Sequence, residues 1–140
     1  DLDAMNYYMN QVSMATFSYF DTSGNEEGPS EPERFYHGFV LGLLVEVRDL
    51  YEVRSNRESG YGRYDVILIP RNLDRDAMIL EFKVCDIDTE GTLEDTAEAA
   101  LQQIKERQYD AELIARGIDR KHIRHYGFAF QGKKVLIKEQ

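Results

Sequence analysis

Apolar and polar positions are most sharply patterned between Gly62 and Val84. Arg63-Tyr64-Asp65-Val66-Ile67-Leu68-Ile69-Pro70 and Met78-Ile79-Leu80-Glu81-Phe82-Lys83-Val84 are both rich in Val, Ile, Leu, Phe or Tyr, and the first closes on a Pro, so both predict strands. The polar run from Arg71 to Asp76 comes directly after that Pro and predicts a hairpin loop. Side chains alternate across a strand, so Asp65, Ile67 and Ile69 share one face of the first, and Ile79, Glu81 and Lys83 one face of the second. A hairpin centred near Leu73 sets Asp65 across from Glu81, with Lys83 one step along.

Elsewhere the period changes. Met5, Tyr8, Met9, Val12, Thr16, Tyr19 and Phe20 recur at three- and four-residue steps, which predicts an amphipathic helix over 3–20. Residues 21–32 lose the period and carry Gly and Pro, a linker. A second helix is predicted over 33–49, with Ser30 as N-cap and a stripe of Phe39, Val40, Leu43, Leu44 and Val47. Residues 50–57 predict a first strand, and a turn with Gly60 and Gly62 comes after it. Thr92 with Asp95 three residues on is a carboxylate form of the capping box. It opens a helix predicted to run to Arg116, with Gly117 as C-cap and Leu93, Ala97, Ala100, Leu101, Ile104 and Ala111 inside. Strands over 122–130 and 133–137 complete the chain. The order argues an α/β fold: a mixed central sheet of about five strands flanked by helices, with a strand–helix–strand crossover between parallel neighbours. Two parts are expected, 1–32 as N-terminal helix and linker, and 33–140 as the core domain.

The chain has 140 residues, 42% hydrophobic and 31% charged, the composition of a globular domain long enough to bury a core. No apolar run approaches the roughly 20 residues of a membrane span, so no membrane partner is expected. The missing Met start points to a piece of a longer protein. Cys85 is the sole cysteine, which excludes an internal disulfide and suits a reducing cytoplasm. The net charge of −9 counts against a broad basic footprint for nucleic acid but leaves room for a local basic rim.

Charge on a buried strand face is expensive, so the convergence of Asp65, Glu81 and Lys83 asks for a reason. Two carboxylates can hold a hard divalent cation through oxygen. A neighbouring Lys can orient water or stabilise charge on a phosphate. The same three groups can also form a plain salt bridge. Without a cation Asp65 and Glu81 repel, so Asp65→Asn is expected to leave the metal-free protein equally or more stable. Arg54, Arg57 and Arg63 around the glycine turn are either phosphate contacts or solvated residues. His122 and His125, three apart on a strand, point to opposite faces and make a poor metal pair. In the acidic loop 86–91, Asp86 and Asp88 are metal candidates against a solvated loop.

Asp65, a short hairpin and then Glu81-Phe82-Lys83 resembles the Asp…Glu-x-Lys core of the PD-(D/E)XK nuclease superfamily. The wider stretch is similar to a bacterial group in which such a domain lies C-terminal to an AAA-ATPase-like domain. The similarity runs through Phe35–Leu44, Tyr51–Val53, Ser59–Asp65, Glu81–Lys83 and Ala100–Ile104. Tyr64 stands where the superfamily's name has Pro. The resemblance implies a restriction-endonuclease-like core and a nuclease in which Asp65 and Glu81 hold Mg²⁺ or Mn²⁺ and Lys83 acts on the attacking water. It also implies support from Gln103 and His37, with Tyr109 further along the helix and Glu33 and Glu46 as other acidic candidates. Lys105 and Arg107 are placed to reach phosphate. The implied partners are nucleic acid, DNA foremost, and an ATPase-like domain in the same full-length chain; a homo-oligomer stays open. The competing reading is a non-catalytic nuclease-like module that serves as a structural or nucleic-acid-docking partner of that ATPase.

Overall fold

The computed structural model describes residues 2–4, 6–7, 42, 45, 47–58, 63–85, 91–131 and 134–140, with the side chains of 56–58 and 63–64 left out. Five strands form one sheet in chain order: β1 (Tyr51–Glu58), β2 (Arg63–Pro70), β3 (Ala77–Val84), β4 (Ile123–Gln131) and β5 (Lys134–Glu139). All neighbouring pairs are antiparallel except β3 and β4, which run parallel. A parallel pair needs a long crossover. Here it is made by two helices, α1 (Leu93–Arg107) and α2 (Tyr109–Ala115), and a 3₁₀ turn at Arg120–His122. The mixed sheet and flanking helices are those the hydrophobic pattern predicts.

Each face of the sheet carries its own core. On one face Val66, Leu68, Leu80, Phe82, Phe128, Phe130, Val135 and Ile137 cluster, with Leu2 and Val47 packed against them. Phe82 lies 4.6 Å from Phe128 and 5.9 Å from Phe130, centroid to centroid, the second pair stacked with nearly parallel rings. On the other face Ile67, Ile69, Ala77 and Ile79 meet Leu101 and Ile104 of α1, Leu113 of α2, and Ile118. Glycine makes that second contact close. A Cβ on Gly127 of β4 would stand 2.5 Å from the Ala97 carbonyl oxygen and 3.0 Å from Leu101 Cγ, so α1 rests directly on the strand there.

Residues 2–4 and 6–7 are helical, as are 42 and 45, whereas 47–50 form a turn where the second helix was expected to reach 49; the other residues of the two predicted N-terminal helices, and the linker 21–32, lie outside the described residues. Asn6 ties the first segment to β5. Its amide donates to the Ile137 carbonyl (2.9 Å) and accepts from the Ile137 N–H (2.6 Å). Ile137 is at the sheet edge, so one side chain satisfies both outward backbone groups of that residue and blunts the edge.

Three expectations change. The helix from Thr92 has the predicted capping box but stops at Gln108, whose φ of 56° is left-handed, and α2 begins at Tyr109. The break shifts the helical phase of α2 relative to α1: Ala111 is exposed, and Leu113 and Ile118 are buried instead. His122 belongs to the 3₁₀ turn rather than to a strand, and its Nδ1 sits 2.8 Å from Asp76 Oδ1. Arg124 also reaches Asp76, at 3.2 Å. These contacts, the His122 hydrogen bond foremost, hold the Asp76 carboxyl below its ordinary range.

The close approach at Gly127 gives a stability test. Gly127→Ala drives a methyl into the α1 backbone and should cost at least about 2 kcal/mol. In a chain of this size that is a fall in Tm on the order of 6–10 °C. A variant melting within a degree or two of wild type would show that α1 is not packed down on β4 at this position.

Candidate functional site

β2 and β3 pair in the register Asp65↔Glu81, Ile67↔Ile79 and Arg63↔Lys83. Asp65 and Glu81 are therefore direct cross-strand partners, and such partners share a face with Cβ atoms roughly 4.5–5.5 Å apart. The face is the one covered by α1 and α2, because Ile67, Ile69, Ala77 and Ile79, in step with the two acids, pack against those helices. Phe82 fixes this. It is fully buried on the opposite face, which turns its neighbours Glu81 and Lys83 to the helical side. Asp65 and Glu81 are each 1% exposed and Lys83 8%. The parallel register continues the row into β4, with Glu81 beside Gly127 and Lys83 beside Ala129.

The helical break completes the site. Residues two apart on a continuous α-helix point about 200° apart and cannot reach one atom. The left-handed Gln108 lies between Arg107 and Tyr109 and turns both toward β2. Arg107 Nη1 donates to Asp65 Oδ2 at 2.8 Å, and the Tyr109 hydroxyl donates to the same oxygen at 2.6 Å. Arg107 Nη1 also lies 3.2 Å from the Tyr109 hydroxyl, so the three groups form a closed triangle. Next to Tyr109, Asp110 Oδ1 lies 2.7 Å from His125 Nε2, and this contact ties the first turn of α2 to β4. His125 is thus a structural contact on the helical face.

Arg107 was expected at a phosphate; it is on Asp65. Sequence reasoning missed this because a helix continuous from Thr92 to Arg116 would have sent Arg107 and Tyr109 to opposite sides. The pairing also adds a term to the expectation for Asp65→Asn that the sequence did not show. Loss of the carboxylate would leave Arg107 facing a neutral amide, so repulsion relieved at Glu81 is offset by an ion pair lost. Arg54 is on Glu112, and Arg116 is on Glu52 at 3.1 Å, which joins β1 to α2 and gives Arg54 a structural partner. Gln103 is half-buried one turn ahead of Arg107, on the same stripe of α1. Lys105 is exposed. His37, Glu33, Glu46, Asp86 and Asp88 lie outside the described residues, as do the side chains of Arg57 and Arg63.

The donor set is suited to a hard divalent ion: two carboxylates with buried oxygens, side by side. Among the described residues no group of three or more His, Cys, Asp or Glu gathers. Two protein carboxylates with water and phosphate making up the remainder is the usual provision for Mg²⁺. Asp65 and Glu81 fit that role.

Tyr109 titrates upward from its ordinary value, chiefly because it is buried and secondly because it donates to Asp65. The fold therefore favours the neutral phenol. Its contribution is complete below the ordinary tyrosine pKa near 10 and is lost as pH rises through the higher folded-state value. Tyr109→Phe should cost about 1.5–3 kcal/mol at neutral pH, as loss of a hydrogen bond to a charged group. The difference from wild type should narrow above roughly pH 10. Urea unfolding across pH 7–11 measures it; a difference constant with pH would assign the loss to packing alone.

Among the described residues no helix is long and apolar enough to cross a membrane. No curated protein matches the chain. The profile of the PD-(D/E)XK nuclease superfamily matches residues 31–140, a span that contains the whole sheet and its crossover helices. The Asp…Glu-x-Lys set of the β2–β3 hairpin lies inside that span, and the chain belongs to the PD-(D/E)XK nuclease superfamily.

Proposed function

We propose that this domain is a metal-dependent nuclease that hydrolyses phosphodiester bonds in nucleic acid, with Asp65, Glu81 and Lys83 as its catalytic centre. The observation that carries the reading is the register of the hairpin. It sets two buried carboxylates opposite each other and a buried Lys two residues along, on the hairpin face that also carries Ile67, Ile69, Ala77 and Ile79. Nucleases of this superfamily generally use divalent metal ions. Asp65 and Glu81 are the residues that hold Mg²⁺ or Mn²⁺ here. When bound, the cation supplies Lewis-acid stabilisation of the phosphate and a more acidic water. Lys83 orients the attacking water and stabilises the negative charge that grows on the phosphoryl oxygens. Tyr109 holds the Asp65 carboxylate in one orientation, and Gln103 with His37 would support the site. The substrate is nucleic acid, DNA foremost, and the partner is an ATPase-like domain in the same full-length chain. The setting is the bacterial cytoplasm.

Lys83 separates chemistry from binding. A group that acts mainly in the transition state lowers kcat and leaves ground-state binding nearly intact when removed. Lys83→Ala should retain Mn²⁺ binding and bind nucleic acid within a few-fold of wild type, while cleavage of mixed DNA and RNA substrates falls by about 10²–10³. Lys83→Arg should rescue only in part, because a planar fork does not replace a compact ammonium. Equal cleavage by wild type and Lys83→Ala would refute the mechanism. Mn²⁺ binding without any cleavage by wild type would favour the non-catalytic docking module.

A further inference from the structure

The Asp65 carboxylate already has a cation. Arg107 Nη1 is 2.8 Å from Asp65 Oδ2, and the Arg107 side chain is 23% exposed while that of Asp65 is 1% exposed. An ion pair with one member this deeply buried is screened far less than a surface pair. Arg107 comes from the last turn of α1 and depends on the left-handed Gln108 to arrive together with Tyr109. Tyr109 alone would orient Oδ2, since its hydroxyl donates at 2.6 Å without adding charge. The guanidinium adds a full positive charge to a spot where two carboxylates face each other across β2 and β3.

We infer that Arg107 is a resident counter-ion that a divalent metal must displace or oppose, so the site binds metal more weakly with Arg107 than without it. A divalent ion on Oδ2 meets the guanidinium directly. One on Oδ1 shares the carboxylate with it, and Arg107 draws electron density from the donor. Either way like charges are brought together. In the metal-free protein the same residue offsets the repulsion between Asp65 and Glu81. Arg107 therefore stabilises the empty site and raises the metal concentration at which the site loads. It is a positioning residue, and the inference rests on the reading of Asp65 and Glu81 as metal ligands.

Metal binding without nucleic acid provides the test. Mn²⁺ titrations by calorimetry and by loss of the free-ion EPR signal should show Arg107→Gln binding more tightly than wild type by roughly tenfold, the effect of one unit charge beside an ion in a partly solvated site. Arg107→Lys, which keeps the charge, should stay near wild type, and Tyr109→Phe should show no tightening. In EDTA, Arg107→Gln should melt below wild type, and saturating Mn²⁺ should raise its Tm by more than it raises that of wild type. Should Arg107→Gln fail to fold in EDTA, wild type answers alone: Mg²⁺ titration monitored by the arginine Nε–H NMR signals should shift the Arg107 resonance. A resonance that stays fixed at saturation overturns the inference. Unchanged or weaker Mn²⁺ binding by Arg107→Gln overturns it as well while leaving the metal site intact. Binding by neither protein removes the metal site and the inference with it.

Discussion

Two carboxylates face each other inside this protein, and most of the local structure around them answers the cost. Burying one ionised acid is unfavourable, and burying two within reach of each other adds repulsion. Nothing in the strand pattern would keep Asp65 and Glu81 together on that face unless the opposite face insisted. Phe82 does so. It is wholly buried among Phe128 and Phe130, and a one-residue slip of β3 would move it into the charged row and Glu81 into an aromatic core. The register that brings the acids together is thus enforced from the other side of the sheet.

The helical layer answers the same cost from above. Gly127 lets the α1 backbone descend onto β4 next to Glu81, which is 1% exposed. The helix then breaks at Gln108, a non-glycine residue with positive φ, a conformation that costs of order 1 kcal/mol. The strain is set against two donors delivered to one Asp65 oxygen. Charged contacts to that carboxylate are each stronger than the strain of one residue. The sum favours the break, and the Asp110–His125 contact beside it holds α2 in place.

How much of this could be read from sequence depends on the range of the cause. The β2–β3 register came from local signals: a Pro-ended strand, a polar loop and the two-residue period of strand side chains placed the hairpin centre near Leu73, and the observed pairing of Asp65 with Glu81 has that centre. The capping box at Thr92 was equally local. The break at Gln108 was not legible, because Gln carries no turn preference and its conformation is decided by what Arg107 and Tyr109 gain on a distant strand. Asn6 on Ile137 and His122 on Asp76 are likewise contacts across long stretches of chain. Gly127 offered a glycine inside a strand, a sign of close backbone approach that does not say what approaches.

Charge can now be weighed locally. The net charge of −9 describes the whole chain, yet a phosphate at the site responds mainly to groups within about one Debye length, some 8–10 Å. Taking only the four groups described in contact with or along the row, the two acids Asp65 and Glu81 stand with two cations, Lys83 and Arg107, and these four charges cancel. A neutral row neither attracts nor repels a polyanion strongly. A divalent ion makes it positive. Metal loading would therefore switch the field at the site from balanced to attractive without any change in the acidic surface elsewhere, and affinity for a phosphodiester would track the metal rather than the overall charge.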